Sequence, residues 1–296
     1  MANLKSLKLR IKSVKSTQKM TKAMKMVAAS RLKKAKQAVE SSRPYAEKIQ
    51  EVVSELVSNV SGRGNLNDKF PLLTGKGKDK THLIVILSSD RGLCGGLNTA
   101  TVKFAKNHID ELISKGHEVK ILCVGKKAYD QLRSLHGEKI VDTIFGVFRG
   151  IVDHESAEKI SKNLIEKYDK DEFDVCEVIY SKFKSAMVQD QICKQLIPVQ
   201  VESKEDQEQV LESSMRYESG QEQVLGDLLP KNLTVQIYNE LLENSASEQG
   251  ARMAAMEAAS NNAGKMIKGL TLVYNRTRQA NITKELIDII SGANTV

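Results

Sequence analysis

The chain has 296 residues, of which 28% are charged and 41% hydrophobic, and a net charge of +8. That length admits two domains or one domain with an extension. The composition argues against a disordered chain, and the longest apolar run, residues 83–87, falls far short of the ~20 residues a bilayer crossing needs.

The first element is a long helix. Leu4, Leu7, Ile11, Val14, Thr17, Thr21, Met24, Ala28, Ala35 and Val39 step mostly by three or four, and the pattern resumes at Tyr45, Ile49, Val52, Leu56 and Val60. Pro44 is expected to kink or loosen it, and Gly62-Arg63-Gly64-Asn65 to end it. Fully helical, these roughly 55 residues would span about 80 Å. From Lys5 to Lys36 every charge is Lys or Arg, and the first acid is Glu40. Such a stretch fits a nucleic-acid arm, a transit peptide, a helix meeting an acidic protein surface, or a solvated basic face. No aromatic residue precedes Tyr45 and Trp is absent, which leaves no base-stacking platform and disfavours nucleic acid. The apolar period runs past any cleavage point, which disfavours a transit peptide.

Residues 65–80 read as a Gly- and Lys-rich loop. Thr81–Ser88 is a short branched apolar run, a buried strand. Thr99–Lys115 reads as a helix closed by Gly116, Val119–Val124 as a strand, Lys126–Leu135 as a helix, Ile140–Phe145 as a weak strand and His154–Tyr168 as a helix. Val175–Tyr180 and a run within Met187–Val201 complete the strands. Strands alternating with helices make a Rossmann-like parallel or mixed sheet. The last two strands follow each other closely, which favours an antiparallel edge.

Residues 202–222 read as an acidic linker. A short helix over Gln221–Leu229 leads into a second long one, with Pro230 in its first turn, where a missing N–H costs nothing. Met256, Ala259, Ala263, Met266, Leu270, Val273, Thr277 and Ala280 alternate steps of three and four, one narrow seam that wants one partner helix. Two seams at opposite ends of the chain imply an antiparallel coiled coil. The fold class is therefore α/β plus a long antiparallel coiled coil, a Rossmann-like α/β domain inserted between two long terminal helices. The expected division is residues 1–62, 78–203 and 221–292, the last pairing with the first. The N-terminal helix is expected to run out opposite about Lys268, so that Val273, Thr277 and Ala280 face other chains. No internal repeat is found.

Chemistry-bearing motifs are few. Ser88-Ser89-Asp90-Arg91-Gly92-Leu93-Cys94-Gly95-Gly96-Leu97-Asn98 joins a strand to a helix start through glycines, the geometry that holds phosphate on a helix N-terminus. Its spacing is neither G-x-G-x-x-G nor a P-loop, so a tight connection or a protein contact is favoured over a nucleotide site. Gly75-Lys76-Gly77-Lys78-Asp79-Lys80-Thr81 is a second near-miss, placed before its strand. Four widely spaced cysteines (Cys94, Cys123, Cys176, Cys193) form no C-x-x-C pair, and five histidines show no ligand spacing. Neither a disulfide framework nor a zinc site is expected, and a reducing cytoplasm fits. There is no G-x-S-x-G and no H-E-x-x-H. No catalytic residue, cofactor or metal is assigned.

Residues 17–30 (TQKMTKAMKMVAAS), the Ser89–Asn98 loop, residues 247–256 (SEQGARMAAM) and residues 278–286 (RQANITKEL) together resemble, in order and spacing, the γ-subunit family of F-type ATP synthases. The resemblance implies a central rotor shaft that makes and breaks no bond and couples proton flow to conformational change at the β-subunit sites. It implies an α3β3 hexamer around the coiled coil, an ε subunit and c-ring against the α/β domain, one copy per complex, and membrane association only through Fo. It matches Arg278, Gln279 and Thr283 to positions that meet a β-subunit loop, Lys22 and Lys25 to a stretch near an acidic β segment, and Arg91 to a loop near the base of β. Arg252 and Glu248 match positions in the middle of the shaft. No inserted regulatory segment with a thiol pair is found and no transit peptide precedes the helix. Both fit a bacterial protein peripheral to the cytoplasmic face of the inner membrane.

Overall fold

The computed structural model describes residues 4–61, 69–199 and 221–293. In chain order the elements are α1 (Leu4–Ser61), α2 (Pro71–Thr74), β1 (Thr81–Leu87), α3 (Leu97–Ser114), β2 (Glu118–Val124), α4 (Lys126–His136), β3 (Ile140–Ile144), α5 (His154–Asp169), β4 (Val175–Phe183), β5 (Gln189–Ile197) and α6 (Gln221–Ala293). The helix stop expected at residues 62–65 and the linker expected from residue 202 lie outside the described residues, apart from the linker's last two positions, which open α6. The chain divides into two compact units, one of Met1–Ala29 with Arg252–Val296 and one of Ser30–Ala251.

In the larger unit the sheet order is β3-β2-β1-β4-β5. The first four strands are parallel and β5 runs antiparallel to β4, as the short connection between them requires. Strand alternation explains why β1 reads as an unbroken apolar run, because both faces of the sheet are covered. Leu83, Val85 and Leu87 face α5 and the α6 residues Leu233, Ile237 and Leu241. Ile84 and Ile86 face Ala105 and Ile109 of α3 and Leu132 of α4. Ala38 and Val39 of α1 pack at the border of the first cluster. A third cluster joins Ile49, Val53 and Leu56 of α1 to Phe70, Val199 and the α6 residues Leu225 and Leu229. Gly125, between β2 and α4, has φ +102°, and a Cβ there would stand 2.1 Å from the Ser88 carbonyl oxygen. Only glycine fits that turn.

Pro44 lies inside α1, exposed to water. One expectation about proline is corrected. Pro230 does not open a second helix but sits inside α6, which is continuous from Gln221. An interior proline costs about 3 kcal/mol. Leu225, Leu229 and Leu233 around it are all at most 2% exposed, and burying such side chains stabilises by roughly 1.5–3 kcal/mol each. Burial wins, and the helix runs through.

Candidate partner-binding surface

In the smaller unit the segments of α1 and α6 run antiparallel. Gln18 Nε2 donates to the Ser260 carbonyl at 3.4 Å, and Lys25 Nζ lies 2.6 Å from Glu257 Oε1. Gly264 permits this approach, since a Cβ on it would meet Gln18 Nε2 at 3.0 Å. Leu7, Thr21, Ala28, Met256 and Ala263 are buried in the seam. Ile11, Val14, Met24, Ala259, Leu270 and Thr277 are half-buried as expected, and the remaining positions differ. Gln18 is half-buried and Thr17 exposed, and Ile267 and Tyr274 are half-buried while Met266 and Val273 are exposed. Steps of four and three from Met256 reach Ser260, Ala263, Ile267, Leu270, Tyr274 and Thr277. The alternation is the expected one started on its other step, which rotates the later contact residues by one position.

The seam also extends further than Lys268. Leu4 is half-buried at the start of α1 and Thr277 is half-buried on α6, whereas every residue from Arg278 to Ser291 is exposed. Antiparallel register explains the limit. Leu4 stands fourteen residues before Gln18, and the same step along α6 from Ser260–Gly264 arrives at Tyr274–Arg278. Beyond that level α1 has no residue in the described structure to offer. The exposed end nevertheless carries Ile282, Leu286, Ile289 and Ile290, each between 49% and 67% exposed. Their spacing of four, three and one makes a stripe along one helix face, the kind of apolar surface that marks a partner site.

Among the residues singled out from sequence, Arg278, Gln279 and Thr283 lie on this exposed end, with Gln279 and Thr283 one turn apart on one face. Lys22 is exposed. Lys25 is engaged by Glu257, with the two side chains 37% and 51% exposed. Arg252 is half-buried on α6. Arg91 belongs to the other unit, exposed on the β1–α3 loop. The structure therefore brings Arg278, Gln279 and Thr283 together on one helix end, and Lys22 with Lys25 on one helix face. The apolar stripe from Ile282 to Ile290 is the surface feature that sequence reasoning missed, although its helical spacing was there to be read.

The β1–α3 loop is closed on itself. Ser89 N–H donates to Asn98 Oδ1 at 3.1 Å, and the Asn98 amide donates to Ser89 Oγ at 2.7 Å and to Cys94 Sγ at 3.1 Å. Ser89 Oγ donates to the Arg91 carbonyl. The Asp90 carboxylate accepts from Gly146 N at 3.0 Å and Phe148 N at 3.1 Å. Ser89 and Asn98 are buried, so their polar groups are turned on one another and not toward a phosphate. Positive φ at Leu93 (67°) and Gly95 (61°) turns the chain back into α3, leaving Leu93 61% exposed beside Arg91. This is a tight connection with an outward-facing tip.

Fold and surface define an α/β protein whose sheet segment lies in sequence between two long helices, the second of which ends in an exposed apolar stripe. The ATP synthase family model matches residues 3–296. The ATP synthase gamma chains of Pelagibacter ubique and Beijerinckia indica are 47% and 48% identical over 296 residues, covering all of both chains. The chain belongs to the ATP synthase gamma-chain family. Among solved structures it is similar to a chain of the Tetrahymena thermophila mitochondrial ATP synthase central stalk and c-ring, with TM-score 0.62, 26% identity, and 81% of this chain and 99% of that one covered. A chain of the Euglena gracilis mitochondrial ATP synthase F1 and c-ring assembly shares the fold at TM-score 0.67 and 18% identity, with 99% and 94% covered. No helix among the described residues is long and apolar enough to cross a membrane.

Proposed function

We propose that this chain is the central rotor shaft of a bacterial F1Fo ATP synthase, coupling proton flow through the membrane sector to conformational change at the β-subunit catalytic sites. The observation that carries the reading is the exposed apolar end of α6 in a chain similar to gamma chains over its whole length. A helix that buries its seam as far as Thr277 and then continues with Ile282, Leu286, Ile289 and Ile290 in water is complete only inside a sleeve of other chains. An α3β3 hexamer supplies that sleeve, and the c-ring and ε subunit attach to the α/β unit, with one copy of this chain per complex. The chain is non-catalytic and transmits torque. It is peripheral, held at the cytoplasmic face of the inner membrane through Fo.

In this reading Arg278, Gln279 and Thr283 contact β at the exposed end of α6, and Lys22, Lys25 and Arg252 contact β further along the helices. Arg91 does so from the β1–α3 loop. The absence of any acid before Glu40 complements an acidic β segment and favours encounter and register over raw affinity. Coexpression with α and β subunits tests the proposal. A complex containing this chain and hydrolysing ATP is expected, with actin-filament or bead rotation when the α/β unit is tagged. A chain that does not co-purify with α and β, or a complex that hydrolyses ATP without turning the bead, overturns it.

A further inference from the structure

Two of the five histidines, far apart in sequence, gather on the α3-facing side of the sheet. Strand alternation puts His82 on the same face as Ile84 and Ile86, and Glu177 on the same face as Ile179, whose partner across the antiparallel pair is Cys193. His108 reaches down from α3, one residue before the buried Ile109. The result is a chain of polar groups at one end of an apolar layer. His108 Nε2 lies 2.8 Å from Glu177 Oε2 and 3.5 Å from Cys193 Sγ, and the three ligand atoms all lie within 4.8 Å of one another. The His108 and Glu177 side chains are only 21% and 17% exposed. His82, with a side chain 9% exposed, points Nδ1 at Glu177 Oε2 from 3.7 Å, while its Nε2 meets Asp79 at 2.8 Å and holds the ring in place. That Nδ1 is buried and makes no hydrogen bond.

We infer that His108, Glu177 and Cys193 form a binding site for a zinc-class divalent ion, with His82 Nδ1 or a water at the fourth position. One imidazole, one thiolate and one carboxylate are the donors zinc takes, and the same set is too soft for calcium or magnesium. The spacing fits. Bonds of about 2.0–2.3 Å at tetrahedral angles put nitrogen and oxygen ligands roughly 3.3 Å apart and nitrogen and sulfur roughly 3.6 Å apart. The nitrogen–sulfur gap is already there, and the His108–Glu177 gap needs to open by about half an ångström to admit the ion. A plain hydrogen-bond network accounts for the His108–Glu177 and His108–Cys193 contacts, but it leaves the buried His82 Nδ1 without a hydrogen bond. Zinc takes sulfur as thiolate, so the ion displaces the Cys193 thiol proton and binding releases it. Because the ligands come from α3, β4 and β5, a bound ion would tie the edge strand to the sheet's covering helix.

The test uses the full, reduced, metal-free chain. Titration with Co2+ is expected to give a near-ultraviolet thiolate-to-metal band saturating at one equivalent, displaced by Zn2+ and absent in Cys193→Ser. His108→Ala is expected to lower zinc affinity by at least about 100-fold, since losing even a residue behind a ligand costs 10–100-fold. Alkylation of Cys193, followed by mass spectrometry in the unmutated chain, is expected to slow at least about tenfold with zinc. The other three cysteines are buried and serve as internal references. A missing band, a band that survives in Cys193→Ser, or an alkylation rate indifferent to zinc each overturns the inference.

Discussion

Glu240 is a residue whose replacement should alter how stability responds to pH near neutrality. It lies on α6, 3% exposed, and among the described residues its charge partner is Lys194 Nζ at 3.1 Å, a contact that aligns no hydrogen bond with either carboxylate oxygen. Burial outweighs Lys194 and pushes its carboxyl up to about 7 from 4.5. The folded chain therefore holds a proton between these two values that the unfolded chain has lost, and stability falls as pH rises through that window. A shift of that size corresponds to about 3 kcal/mol at pH 8. Glu240→Gln keeps the shape and removes the titration. It should unfold like the unmutated chain at pH 4.5 and be more stable at pH 8 by up to about 3 kcal/mol, less the lost Lys194 contact. Urea midpoints followed by far-ultraviolet circular dichroism at both pH values measure this. His82, raised by Glu177 against the opposing effect of burial, contributes stability that fades in a nearby window, but it does so in both proteins and cancels in the comparison. An equal pH slope in the two would refute the assignment of a buried, protonating Glu240.

Three further outcomes follow from the geometry. Gly125→Ala drives a methyl group onto the Ser88 carbonyl at a backbone angle that disfavours side chains, and should lower the stability of the larger unit by more than about 2 kcal/mol in a urea titration. Lys25→Ala removes an ion pair whose partners are both more than one-third exposed, and thermal unfolding should register a loss below about 1 kcal/mol that vanishes in high salt. Removing residues 283–296 takes away side chains that, from Thr283 to Ser291, are all exposed. The melting of the larger unit should be unchanged and affinity for α and β subunits reduced, as read by co-purification, and a collapse of that unit would count against its independence of the helix end.

How much of this was legible in the sequence depends on the reach of the interaction involved. Every strand of the sheet unit, and each of its helices except the four-residue α2 inside the segment expected as a loop, announced itself through local periodicity, because a strand covered on both faces must be apolar throughout and its connecting helices must be amphipathic. The helix ends were less secure. Gln221–Leu229 looked like a separate helix because Pro230 is a local stop signal, while the leucines that override it act through tertiary burial in two clusters at once. The seam shows the same limit on a finer scale. Its 3-4 alternation was readable, but Met266 and Ile267 are equally apolar and adjacent, and only the register set by Gln18 against Ser260 and Gly264 decides which one turns inward.

The helix end and the histidine cluster were hidden for opposite reasons. Ile282, Leu286, Ile289 and Ile290 were legible as an amphipathic face but not as an exposed one, since exposure depends on where the opposite helix stops. The level of that stop follows from two numbers, the start of α1 and its register, and it falls at Thr277 and not at Lys268. His108, Glu177 and Cys193 carried no signal at all, because they come from one helix and two strands that become neighbours only when β4 pairs with β5 and α3 covers them. Ligand spacing in sequence finds sites built on one loop or one helix. A site whose donors sit on separate elements of a sheet and its covering helix is invisible to it, and the absence of spaced histidines therefore says nothing against a metal there.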